Sequence, residues 1–121
     1  MGITNTGKVA AAGLFGNVGS VSAFTYLAYG TGTTGFAATQ ETLVAESQRA
    51  AATVTRITTT TTNDTLQLVK VFTATTTETA TEGGVFNAAS VGIMGARVVF
   101  ETPRDLLTGE TLSYVHKIVF A

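Results

Sequence analysis

Leu112, Tyr114, His116, Ile118 and Phe120 alternate with Ser113, Val115, Lys117 and Val119. A period of two is that of a β-strand, whose successive side chains leave opposite faces. The first set is the more apolar, so this strand is expected to pin its Leu112 face to a core. A strand needs partners, and the rest of the chain supplies them. SAFTYLAYG, residues 22–30, places Phe24, Tyr26 and Ala28 on one face and Thr25, Leu27 and Tyr29 on the other. Neither face is strongly polar, which predicts cover on both sides, by a second sheet on one and a partner subunit or the N-terminal segment on the other.

Residues 53–74, TVTRITTTTTNDTLQLVKVFTA, read as a hairpin. Val54 to Thr62 are mostly β-branched, which favours extended backbone, and threonine keeps the exposed side polar. Asn63-Asp64 supplies the turn, because both side chains bond local backbone and Asn tolerates a left-handed conformation. The stretch is no disordered spacer, since the composition is 45% hydrophobic and 12% charged with one proline, the reverse of a solvated linker. TTTETATEGG, residues 75–84, repeats the theme more weakly and ends on a flexible glycine pair. A glycine-rich connection leads to a strand around Ala96–Thr102, and PRDLLTGE, residues 103–110, makes a turn before the last strand. GKVAAAGLF, residues 7–15, is the helix candidate, with Val9, Ala12 and Leu14 or Phe15 near helical spacing and Gly16 and Gly19 as its stop. TQETLVAES predicts a turn or short helix anchored by Leu43 and Val44, with Glu46 and Arg49 at helical spacing. The fold class is therefore all-β: an antiparallel sandwich or barrel, jelly-roll-like, with residues 1–22 as an N-terminal arm or short helix and 23–121 as one β-rich domain.

Function is bounded mainly by exclusion. Without cysteine there are no disulfides, thiolate metal sites or thiol nucleophile. His116 stands alone among apolar neighbours, which points to a hydrogen-bonded structural side chain. The carboxylates Glu41, Glu46, Asp64, Glu78, Glu82, Glu101, Asp105 and Glu110 show no spacing that marks a catalytic pair. The GTGTTG stretch at 30–35 has the glycine separation of a phosphate loop, but Phe36 and Ala37 stand where its lysine and hydroxyl belong. A structural loop of close backbone approach is the expected reading. A net charge of −1 and scattered arginines argue against specific nucleic-acid binding. The glycine-broken stretch 7–24 predicts neither a cleaved leader nor a membrane span. No enzyme, cofactor or metal is expected.

The blocks GKVAAAGLFG, FTYLAYGTGTTGFAATQETLVAE and EGGVFNAASVGIMGARVVF, in that order, resemble a family of small tailed-bacteriophage virion proteins loosely described as tail-fibre or structural proteins. The matching positions are Gly30 to Thr34, then Thr42, Leu43 and Glu46, then Glu82, Gly84, Phe86, Asn87 and Ala88, then Met94 and Arg97. Gln40-Glu41 departs from the aspartate that commonly precedes Thr-x-Leu in that pattern. The resemblance implies a noncatalytic virion component made in the bacterial host cytoplasm. Its expected place is the outer capsid surface, as a decoration or cement protein bound to the major capsid protein between capsomers, with a tail, neck or fibre-associated role as the alternative. A homo-oligomer, such as a trimer, is expected. Phe24, Tyr26, Tyr29, Glu46, Arg49, Glu82, Phe86, Asn87 and Arg97 are the structural or interface candidates, with Glu82 expected to fix its connection through backbone donors or Arg49.

Overall fold

A computed structural model describes residues 2–120 as an antiparallel sandwich of two sheets with one helix. In chain order the elements are β1 (Gly2–Ile3), α1 (Asn5–Gly16), β2 (Tyr26–Gly30), β3 (Glu46–Ala51), β4 (Thr53–Ile57), β5 (Thr65–Thr73), β6 (Glu78–Phe86), β7 (Met94–Leu106) and β8 (Thr111–Val119). The larger sheet runs β1-β7-β6-β2-β3 and the smaller β4-β5-β8. The core lies between them. Leu27, Tyr29, Val85 and Ala96 from the large sheet meet Leu68, Phe72, Leu112 and Tyr114 from the small one, and Tyr29 sets its ring edge-on against Phe72 with centroids 5.0 Å apart.

The alternation of the last strand is observed: Leu112, Tyr114 and His116 are buried while Ser113, Val115 and Lys117 are exposed. β8 pairs with β5 without a register shift from Thr65↔Val119 to Thr73↔Thr111. The helix spans Asn5–Gly16, two residues earlier than its apolar spacing suggests, because Thr4 caps it and accepts a hydrogen bond from the Gly7 N–H at 2.9 Å. Thr4 in turn donates to the Met94 carbonyl, which fastens the helix start to β7. The helix ends where Asn17 adopts a left-handed φ of 53° and Val18 N–H returns to the Gly13 carbonyl.

Four expectations change. The threonine run leaves the hairpin at Ile57, so its first arm is Thr53–Ile57 rather than a strand through Thr62. Residues 58–64 form a loop wrapped on Asp64, whose carboxylate accepts the N–H groups of Thr59, Thr60 and Thr61 at 2.9, 3.0 and 2.8 Å. Those bonds hold the Asp64 carboxyl well below its usual pKa, and such side-chain bonding competes with strand pairing for the same amides. The turn or short helix expected over TQETLVAES, residues 39–47, gives way at Glu46 to strand β3, Glu46–Ala51. The strand predicted at 96–102 runs from Met94 to Leu106, so the turn shrinks from 103–110 to 107–110. Phe100 to Pro103 stand as a wide bulge, because β6 and β7 pair at Glu82↔Val99 and next at Ala80↔Arg104.

The fourth change concerns Gly83-Gly84, which lie in the middle of β6, buried on both sides. A Cβ on Gly83 would sit 2.4 Å from the Tyr114 hydroxyl oxygen, so only glycine admits that ring from the opposite sheet. Gly83→Ala is expected to cost about 1–3 kcal/mol, the usual penalty for overpacking a core, measured as a lowered denaturant midpoint. An unchanged midpoint would show that the Tyr114 ring moves freely.

Candidate functional site

The outer face of the large sheet gathers most of the sequence-selected residues. Antiparallel register sets Ala28 beside Arg49 and Gly84, Gly30 beside Glu46 and Glu82, and Tyr26 beside Phe86, while Arg97 lies across from Gly84. Roofing this face is the connection 31–45, which contains the GTGTT stretch after Gly30. Leu43 comes down from the roof onto Ala28, Phe86 and Met94, with Tyr26 at the margin. The second face of β2 is thus covered by the chain's own loop, where a partner subunit or the N-terminal segment had been expected.

Glu82 holds that roof. Oε2 accepts the N–H groups of Gly32 and Ala45, each at 2.8 Å, and Oε1 accepts Val44 N–H at 2.9 Å and Arg97 Nε at 3.0 Å. Both charged side chains are fully buried. The ion partner is Arg97, on the neighbouring strand, and not Arg49. Arg97 also donates to the Thr34 carbonyl at 2.8 Å and to the Gln40 amide oxygen at 3.3 Å. One carboxylate and one guanidinium thereby tie both ends and the middle of the loop to β6 and β7. Burial pushes the Glu82 pKa up, but the bonds from Ala45, Val44, Gly32 and Arg97 outweigh it and hold the carboxyl below its ordinary value. Gly32 is needed where the loop touches the carboxylate, since a Cβ there would stand 2.4 Å from Oε2.

Four hydrogen bonds use about the whole acceptor capacity of a carboxylate, so Glu82 has no lone pair left to take a proton from a substrate. The arrangement positions a loop; it is not built for acid–base work. Beside it, Arg49 lies over the Phe86 ring at 3.6 Å from the centroid and donates to the Ala88 and Val91 carbonyls at 3.1 and 2.8 Å. Glu46 pairs with Arg49 at 2.7 Å. The pair had been expected from helical spacing; in a strand, residues three apart face opposite ways, and the contact exists because the ladder shifts between Tyr29 and Gly30, leaving Ser47 as an extra residue. Asn87 closes the 87–93 turn by accepting Ile93 N–H at 2.8 Å.

Tyr29 and Phe24 belong elsewhere. Tyr29 lies in the inter-sheet core, its hydroxyl donating to Glu78 at 2.9 Å and accepting from Gln48. Phe24 is half-buried against the same core. Thr34 and Gln40, which stand at positions of the family pattern but not among the interface candidates, meet Arg97 through contacts 63 and 57 positions apart in the chain. One signal was available for the ion pair itself: Glu82 and Arg97 are opposite charges interrupting the two apolar runs of the second half.

A second polar pair lies between the sheets. The Tyr114 hydroxyl and His116 Nδ1 are 2.5 Å apart. Burial pushes the tyrosine pKa up, so the hydroxyl keeps its proton, and the direction of its bond to Nδ1 follows the imidazole tautomer. Nε2 of the same imidazole is the buried polar side-chain atom among the described residues that has no hydrogen-bond partner. Among those residues no His, Cys, Asp and Glu group could hold a metal ion, and no helix is long and apolar enough to cross a membrane.

The helix and its exit leave apolar side chains exposed. Val9, Phe15 and Val18 on α1 and its exit are 74%, 97% and 68% exposed. Next to them a groove of about 650 Å3 opens between the helix and the end of the small sheet, with Leu14, Phe24, Leu66, Ile118 and Phe120 in its walls. No family model, curated protein or solved structure matches the chain.

Proposed function

We propose that this chain is a noncatalytic structural protein of a tailed-phage virion, a decoration or cement protein that stabilises the head by binding the major capsid protein between capsomers. The observation that carries the proposal is the set of exposed apolar side chains around the helix, Val9 and Phe15 on α1 and Val18 just past its end, with Phe15 at the wall of the apolar groove. Large exposed apolar groups of this kind mark surfaces that meet another protein. The polar constellation on the sheet offers no competing chemistry, because its carboxylate is saturated. The ordered resemblance described above supplies the virion setting.

Cryo-electron microscopy of the assembled particle tests the assignment. Copies of this chain repeated at capsomer junctions are the expected result, and density confined to the portal, neck or tail would overturn the head location in favour of the tail-associated alternative. Phe15→Ser is expected to weaken binding to heads that lack the protein by roughly tenfold, the effect of about 1.4 kcal/mol, with an unchanged unfolding midpoint because the ring is exposed. Undiminished binding would remove the helix from the contact.

A further inference from the structure

We infer that strand β8 is a self-pairing edge, by which two copies of this chain join their small sheets into one six-stranded sheet across a two-fold axis. An open edge presents unpaired N–H and C=O groups to any extended chain, and native proteins usually blunt it. The other edges here are blunted. β1 has two residues, β3 is broken by the bulge at Ser47, β4 has five residues, and β7 beyond its pairing with β1 carries Pro103 and the wide bulge. β8 has nine residues, no proline and no register shift, and it pairs with β5 alone.

Beside that edge the sandwich stands open. A cleft of about 910 Å3 separates β8 from the bulged part of β7, with Phe100, Pro103, Tyr114 and His116 among its lining residues.

The sequence of β8 is what selects a second copy as the occupant. An antiparallel pairing centred on Val115, the midpoint of Thr111–Val119, engages all nine residues and keeps the inner and outer faces continuous. It sets Leu112 opposite Ile118 on the inner face. On the outer face it sets Val115 against itself, with Ser113 opposite Lys117, so no two charges of one sign meet. Val69 flanks Val115 within each copy, and pairing makes the valines of both copies into one stripe. Antiparallel pairing of this kind closes as a two-fold dimer, which differs from the trimer expected from the family resemblance and does not depend on the virion assignment.

Sedimentation equilibrium of the purified chain, with Val115→Lys and Val115→Cys, tests the proposal. The wild-type protein is expected to dimerise. Val115→Lys would place two ammonium groups side by side and is expected to raise the dissociation constant by at least roughly tenfold, with the unfolding midpoint of the monomer unchanged because the site is on the exposed face. Val115→Cys is expected to form a disulfide-linked dimer on mild oxidation. A wild-type protein that stays monomeric over a wide concentration range would overturn the inference, and so would a dimer that neither Val115→Lys weakens nor Val115→Cys traps.

Discussion

Glu82→Gln is expected to lower the unfolding free energy by about 3–5 kcal/mol, the loss seen when one member of a buried ion pair is removed. The amide turns an NH2 group toward donors that require an acceptor, and it leaves the Arg97 guanidinium charged and buried without its counter-ion. Against a typical total of about 5–15 kcal/mol, that is a large share. Glu46→Gln is the matched control. Its pair with Arg49 is partly exposed, and such pairs contribute at most about 1 kcal/mol. Replacing both buried partners, as Glu82→Leu with Arg97→Met, is expected to restore little, because the amides of Gly32, Val44 and Ala45 would still face an apolar side chain. Urea unfolding of the four proteins decides the matter. If Glu82→Gln and Glu46→Gln shift the midpoint equally, Glu82 does not hold the roof.

Acidification is expected to destabilise the protein in two successive ranges. Burial pushes the His116 pKa down to about 4, below its ordinary value of about 6.5. Between those two values the unfolded chain takes up a proton that the folded chain refuses, so stability falls as pH drops through this range. A shift of that size corresponds to about 3 kcal/mol by the time pH 4 is reached. Glu82 adds to the loss below its unfolded pKa of about 4.5, since its folded value is depressed and its stabilising bonds weaken as the pH approaches that value. His116→Gln keeps an acceptor for the Tyr114 hydroxyl but cannot titrate in this range. Melting curves from pH 7 to pH 4 should therefore slope steeply for the wild type and flatten for His116→Gln. Parallel slopes would mean that His116 is not the group whose protonation opposes folding.

What could be read from the sequence was local. The terminal strand was legible because its Leu112 face and its Lys117 face differ in polarity and alternate without interruption. The threonine run misled because branched side chains favour extended backbone in general, whereas here one carboxylate, Asp64, offers the amides a closer partner. β6 was underread for the opposite reason. Its glycines look like punctuation, yet each stands where another side chain, Tyr114 below or Leu43 above, needs the room. The expectation of a structural loop at GTGTT fits the close approach at Gly32, but its counterpart, Arg97 rather than Arg49, follows only from the β6–β7 register. Exposure along α1 is likewise a tertiary property. The apolar spacing of residues 7–15 predicts a helix, and only the docking of its Gly7 and Ala10 side on the sheet decides that Phe15 is left outside.

The backbone bonds that close the roof join residues 50, 38 and 37 positions apart in the chain. During synthesis from the N-terminus, Gly32, Val44 and Ala45 emerge well before the carboxylate that will accept their hydrogen bonds, and Arg97 follows Glu82 by a further 15 residues. Sealing of the outer face is therefore a late event in the birth of the chain, after the β2–β3 ribbon has already had time to form. Non-local closures of this kind are slow, and until this one occurs Ala28 and Leu43 lack the covering they have in the finished protein. The outer face of β2 is therefore expected to stay uncovered until residues 82–97 have joined the sheet.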